Sequence, residues 1–370
     1  MIYFDNAATS FPKPKSVIKE VNRCLRSYCG NPGRSGHVMA LRASEKIYEA
    51  REAVAKLIGL EKLENVIFTQ NASYALNFAI KTSIVPGEKI LISDIEHNSV
   101  LRVVDKLASE RSDISYSIFS HASTINELED MIKDGITLVV CNAVSNVTGR
   151  ENPLKTISKL RQKYKFKFII DASQMLGHKN FSFSECPCDA ICAPGHKALF
   201  GIQGSGFCAF FNNISSSTII EGGSGNESKN RKMPKMLPER LEAGTLSTPA
   251  IASLAAGIDF INGVGIENIE NHLSRLTGMA YERLSEIKGI KIYGAENGIV
   301  SFDINKIPPS RVADLLDSCG ICVRAGFHCA PLTHKALGTF DYGTTRVSFS
   351  YFNTKREVDK LYCRLSEIVS

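Results

Sequence analysis

The 370-residue sequence contains no Trp and no run approaching the roughly 18 apolar residues that a membrane-spanning helix needs. Its opening, MIYFDNAATS, lacks the basic-then-apolar pattern of a secretory signal. Together these absences predict a soluble, cytoplasmic protein with no membrane partner. No internal repeat or low-complexity tract is present, which argues against solenoid and fibrous classes. Nor is there a strong charge imbalance: 44 Lys and Arg against 38 Asp and Glu leave +6, spread along the chain. The densest basic stretch, Lys229, Arg231, Lys232 and Lys235, has no interleaved aromatics. It reads as a solvated loop rather than a nucleic-acid surface. The eleven cysteines are odd in number and irregular in spacing, so they form no disulfide framework. Most, like Cys141, Cys192 and Cys208, sit among apolar neighbours and read as reduced core residues. Cys186-Pro-Cys188 with His178 is a weak metal or sulfur-carrier signal, because it supplies fewer ligands than a closed site requires.

What is present is an α/β pattern. Between residues 60 and 215, short apolar runs at 66–69, 89–93, 115–119, 137–142, 166–171, 190–193 and 206–211 alternate with helix-like spacers such as 156–165. Near-continuous apolar runs suit strands buried on both faces of a mainly parallel sheet. In such sheets ligands sit outside the carboxyl ends of the strands. After about residue 245 the pattern changes to long helical stretches at 253–261 and 268–287, then a smaller α+β region with strands near 298–304 and 345–350. Thr354-Lys-Arg-Glu357 is a capping box ahead of the apolar stripe Val358, Leu361, Leu365, Ile368. The expected division is an N-terminal segment 1–14, a large domain 15–250 and a small carboxyl-terminal domain 251–370.

Three strand ends carry the chemistry. The run 188–197 ends a strand, turns through Pro194-Gly195, and delivers His196 and Lys197 to the expected ligand side. A lysine there suits an aldehyde cofactor, although a surface lysine would look the same in isolation. Phe168-Ile-Ile-Asp171 ends a second strand in a carboxylate that can hold the proton of a pyridine nitrogen. Phe68-Thr-Gln-Asn-Ala-Ser73 leads into a helix at 74–81, either as an anion site or as a plain Asn71 cap. His97 follows the strand at 89–93, where a ring contact and an exposed loop histidine are both open. Later, Cys322-Val-Arg324-Ala-Gly-Phe-His328-Cys329-Ala-Pro331 places one cysteine outside the apolar pattern of the others. His328 and Arg324 beside it are expected to favour thiolate over thiol. Arg346 opens an alternating strand and suits a substrate carboxylate, with a structural salt bridge as the alternative.

Taken together, these positions resemble the class V aminotransferase family of fold-type-I pyridoxal-phosphate (PLP) enzymes. Within it, the chain is most similar to the cysteine desulfurases and selenocysteine lyases with a short catalytic-cysteine loop. The resemblance runs from Phe4-Asp-Asn-Ala-Ala-Thr9 to Arg346-Val-Ser-Phe-Ser-Tyr-Phe-Asn-Thr354. It implies a mainly parallel seven-stranded sheet with helices on both faces and a smaller α+β domain. It implies that Lys197 bonds the PLP aldehyde, that Asp171 pairs with the pyridinium, and that Gln174 donates to the phenolic oxygen. By the same resemblance His97 stacks on the ring, Asn146 sits beside it and the substrate, and Ala72, Ser73 and His196 bind phosphate. Thr245, in Gly244-Thr-Leu-Ser-Thr-Pro249, would reach the phosphate of a neighbouring subunit in a homodimer. Gly30–His37 and Gly222–Gly225 are further family-like segments without an assigned role. The expected reaction converts L-cysteine to alanine, leaves a persulfide on Cys329, and passes the sulfur to an acceptor protein. L-Selenocysteine cleavage, or aminotransferase or other lyase chemistry with Cys329 incidental, are the rival activities. One departure stands out: where the family usually has Ser or Thr two residues before His196, this chain has Pro194, which offers neither hydroxyl nor N–H.

Overall fold

The structure, a computed structural model, describes all residues except 34, 213, 214 and 216. Arg34, within the Gly30–His37 segment, therefore lies outside the described residues. The seven expected strands form one sheet in the order Val66–Thr69, Gly206–Phe210, Ala190–Pro194, Lys167–Asp171, Leu138–Asn142, Lys89–Ser93, Ser115–Phe119. Gly206–Phe210 runs antiparallel to both of its neighbours, and the other pairs are parallel. The apolar runs of the inner strands are continuous because both faces are covered, while the edge strand Ser115–Phe119 is largely exposed. Phe168 and Ile170 enter the core on one side of the sheet and Ile169 enters it on the other. Each such side chain contributes about 1.5–3 kcal/mol by leaving water. The helices Ala72–Ser83 and Asn98–Glu110 supply one face, and Val38–Ile58, Leu154–Tyr164 and Thr248–Val264 supply the other.

Beyond residue 245 the first helical stretch extends at both ends, to Thr248–Val264, and the second lies two residues earlier than expected, at Ile266–Ser285. The sheet that follows has four antiparallel strands: Arg324–Gly326, Thr344–Ser348, Ile299–Ile304 and Ile290–Glu296. Thr344–Ser348 is buried along its whole length rather than on alternate residues. Val347 enters the apolar core, while Arg346 on the opposite side faces a cavity over the large sheet. The amino terminus joins this region. Ile2–Tyr3 pairs in parallel with Ile321–Cys322, and Asp5 bridges to Ser348. The last helix, Lys355–Val369, has the expected capping box: Thr354 Oγ1 accepts from Glu357 N–H, and Glu357 Oε2 accepts from Thr354 N–H at 2.7 Å. The basic residues 229–235 lie in an exposed segment without helix or strand.

Two devices fix the chain around the cavity. Gly195 is the turn between Pro194 and His196, and a Cβ there would stand 2.2 Å from Ser205 Oγ, so only glycine lets the turn close. Glu242 is buried and takes a bidentate pair of hydrogen bonds from Arg51, at 2.9 and 3.0 Å, plus Phe68 N–H at 2.7 Å. That cluster pins the segment before Gly244 to the strand Val66–Thr69.

Candidate active site

The carboxyl ends of the parallel strands open into a cavity. Asp171 ends the central strand, in register with Asn142 at the end of its neighbour, and both line it. Asp171 is 4% exposed, and its Oδ1 accepts from Ser173 N–H at 2.9 Å and from Ser173 Oγ. Burial pushes this carboxyl up, while Ser173 and Lys197 act against the rise. A buried acid in that position needs a proton-bearing partner. Lys197 projects into the same cavity from the turn after Ala190–Pro194. Burial lowers its amine to about 8; Asp171 opposes the shift, and Arg346 and Arg324 add to it. Near neutral pH such an amine reaches its unprotonated, nucleophilic form readily.

At one end of the cavity two helices point their amino termini inward. Asn71 caps Ala72–Ser83 through Oδ1, which accepts from Tyr74 N–H at 3.2 Å. His97 caps Asn98–Glu110 through Nδ1, which accepts from Ser99 N–H at 3.0 Å. The cap reading and the site reading thus hold together for both residues, since a capped helix still leaves N–H groups for an anion. With Nδ1 as acceptor, the His97 proton resides on Nε2. Burial, and after it the charge of Lys197, lowers His97 to about 3, so the ring is neutral. Ser99 was missed in the sequence. Its Oγ lies 2.6 Å from Ser73 Oγ and 2.9 Å from His97 Nδ1, and it lines the cavity. It places a second hydroxyl where Pro194, also on the wall, has none. The signal available was its position in the first turn of a helix that begins at a strand end. His196 lines the same end; its Nδ1 is buried without a partner, and its carbonyl accepts from Lys13 Nζ at 2.8 Å. Thr245 is exposed and does not line this chain's own cavity.

The opposite wall belongs to Arg346, which is 1% exposed. Its Nη1 donates to the Asn146 carbonyl at 2.8 Å and its Nη2 to Asp5 Oδ1 at 2.7 Å, while Nε has no partner. The salt bridge and the substrate role are therefore not alternatives, because a guanidinium has five N–H donors and two are engaged. Asp5 is the second residue that the sequence did not flag. Asn146 spends its amide on the His328 carbonyl, at 2.7 Å, and keeps a buried, unpartnered Oδ1. Gln174 lines the cavity, and its side-chain amide, which carries two N–H donors, gives one to the Ala7 carbonyl at 2.9 Å. Cys329 is exposed at the mouth, in an outer groove that it shares with Ser73 and His97. His328 brings this thiol no positive charge. Burial, with Arg346 next, holds the imidazole well below its usual range, so it is neutral. Cys186 and Cys188 are buried, and among the described residues no three His, Cys, Asp or Glu side chains group to hold a metal.

The donor set fits PLP. Lys197 offers an amine for the aldehyde, Asp171 a carboxylate for the ring nitrogen, and two hydroxyl-bearing helix ends an anion site for the phosphate. Unpartnered buried atoms on His196, Asn146 and Arg346, all lining residues, leave polar capacity for a bound group.

The family model for class-V aminotransferases matches residues 2–361. A protein of Methanothermobacter thermautotrophicus described as a probable cysteine desulfurase is 31% identical, over 99% of this chain and 94% of its own length. A probable cysteine desulfurase of Pyrococcus abyssi is 32% identical, over 100% of this chain and 94% of its own. Among solved structures, the apo cysteine desulfurase from Thermococcus onnurineus NA1 superposes with a TM-score of 0.90 at 30% identity, covering 100% of this chain and 94% of that one. The cysteine desulfurase CsdA of Escherichia coli, at 24% identity and a TM-score of 0.87 over 99% and 94% of the two chains, shares the fold.

Proposed function

This chain belongs to the class-V aminotransferase family, and from that premise we infer that it is a PLP-dependent cysteine desulfurase. L-Cysteine is the substrate, alanine the product, and a sulfur acceptor the onward partner. The observation that carries the reading is the convergence of Lys197, Asp171 and Arg346 on one cavity with Cys329 at its mouth. When bound, PLP supplies an aldehyde for the substrate amine and an electron-poor ring that makes the α-proton acidic. Asp171 holds the proton on the ring nitrogen. Arg346 receives the substrate carboxylate on the N–H groups that Asn146 and Asp5 leave free. Lys197, with its amine near 8, takes the α-proton. His97, neutral and with Nε2–H as its free donor, lies over the cavity. Cys329 attacks the substrate sulfur as a thiolate: the S–S bond forms as the C–S bond breaks, the electron pair left on the β-carbon takes a proton to give the methyl group, and Lys197 returns a proton to the α-carbon to complete alanine.

The exposure of Thr245, away from this chain's cavity, suits a homodimer in which it serves the partner's site. Light scattering that returned a fully active monomer at micromolar concentration would remove that part. The central test is Cys329→Ala. The variant is expected to bind PLP normally yet release alanine from cysteine at a rate reduced by orders of magnitude. Unchanged release, or a persulfide located by mass spectrometry on another cysteine, overturns the assignment. L-Selenocysteine is the proposed second substrate; its selenium can leave without enzyme attack, so the same variant is expected to turn it over.

A further inference from the structure

The loop that carries Cys329 is built on a histidine that the chemistry above does not use. His328 is 3% exposed and neutral, and it sits between the carboxylate receptor and the thiol. Its carbonyl accepts from Asn146 Nδ2 at 2.7 Å, and Asn146 accepts at its own carbonyl from Arg346 Nη1 at 2.8 Å. A continuous path therefore runs from Arg346 through Asn146 to His328, one peptide bond from Cys329. The ring supplies a second limb. Nε2 lies 3.3 Å from the Arg324 carbonyl, and Arg324 is the cross-strand partner of Arg346. With Nε2–H donating there, Nδ1 is left as a buried acceptor without a partner. Arg346 Nε is a buried donor without one, and Arg346 is the charge that bears most on His328. From behind, the ring stacks on His334, with centroids 5.8 Å apart and planes at 20°; His334 Nδ1 is in turn fixed by Thr339 Oγ1 at 2.8 Å.

The backbone is under tension at this place. His328 and Cys329 are consecutive non-glycine residues with φ of 50° and 58°. Each such residue costs on the order of 1–3 kcal/mol, so the surrounding contacts must over-determine the loop. Those contacts are the Asn146 amide on His328 and the Asn98 N–H on the Cys329 carbonyl, at 2.7 Å.

We propose that His328 is a positioning residue that couples the filling of Arg346 by a substrate carboxylate to the placement of the Cys329 thiol. A carboxylate that takes the free N–H groups shares the guanidinium's charge with Asp5 and with the Asn146 carbonyl, and so loosens both contacts. Any shift of Asn146 passes through its amide to the His328 carbonyl, and the ring, anchored on the Arg324 carbonyl and stacked on His334, turns that pull into a movement of a loop already held away from relaxed geometry. The inference rests on Cys329 being the sulfur-accepting thiol. Its test reads the thiol directly, so either idea can fail without the other.

The experiment alkylates PLP-loaded enzyme with iodoacetamide, with and without saturating L-alanine, and follows the Cys329 peptide by mass spectrometry. Alanine is expected to change the Cys329 rate several-fold in the parent. In His328→Asn, which tolerates the positive φ but is too short to reach Arg324, alanine is expected to leave the rate unchanged. His328→Gln keeps one donor and one acceptor at similar reach and is expected to restore the response. Asn146→Ala cuts the same path at its other link and decides the question by itself should His328→Asn fail to fold. A response of parental size in His328→Asn or in Asn146→Ala means that alanine merely covers the thiol, and overturns the proposal. A His328→Gln variant that is folded but unresponsive overturns it too.

Discussion

Replacing Arg346 by Lys preserves the charge and removes the geometry, and the loss can be counted in donors. The guanidinium has five N–H groups; one goes to the Asn146 carbonyl and one to Asp5, leaving three, including the unpartnered Nε–H. A carboxylate can take two of these in parallel. An ammonium has three donors on a single nitrogen. If it keeps Asn146 and Asp5, one remains for the substrate. The variant therefore loses one charge-assisted hydrogen bond to the carboxylate, worth about 1.5–3 kcal/mol, or about 10- to 150-fold in kcat/KM. The expected signature is a rise in KM for L-cysteine, measured as initial rates of alanine release. Cysteamine provides the control, because it has the amine and the thiol but no carboxylate. Parent and variant are expected to consume it equally, with sulfide released from the persulfide by added dithiothreitol as the readout. A folded Arg346→Lys enzyme within threefold of the parent on cysteine would refute the donor count. An equal loss on cysteamine would also refute it, by showing that the residue acts through structure alone.

Glu242→Ala leaves Arg51 buried without its partner and Phe68 N–H without its acceptor. Urea denaturation is expected to show about 3–5 kcal/mol of lost stability, and a loss below 1 kcal/mol would contradict the reading of this pair as buried and hydrogen-bonded. Acid should destabilise the fold. Burial is the largest cause lowering His97, His178, His196, His328 and His334, so their folded values lie below the unfolded value of about 6.5. The unfolded chain then binds more protons, and the stability these rings give above pH 6.5 is lost as pH falls through that window. Glu96, pushed up to about 8 by burial, works in the opposite sense, giving stability at low pH that is lost as pH rises toward 8. Five imidazoles outweigh it below pH 6.5, so urea midpoints are expected to fall between pH 7.5 and 5.5. A midpoint unchanged or higher at pH 5.5 would count against neutral burial of these rings.

The primary sequence by itself determined the sheet and the two residues at its ends. Six of the seven strands were legible because burial on both faces demands side chains that need no partners, and that demand is local; Ser115–Phe119 is the largely exposed edge strand. Asp171 and Lys197 were legible for a related reason: Asp171 ends an apolar run at a strand end and Lys197 follows the turn after another, on the side where the parallel-sheet rule places a ligand. The capping box at Thr354 was legible because its partners lie three residues apart. Tertiary structure decided everything that joins distant segments. Asp5 meets Arg346 across 341 residues, through a parallel strand pair that no local pattern announces. Ser99 gains its place beside Ser73 only when two helices from different crossovers aim their amino termini at one point. His328 reads in sequence as a neighbour that favours the Cys329 thiolate. The fold buries it against Arg346 and His334, where an imidazolium is too costly to keep, and makes it part of the loop's support instead.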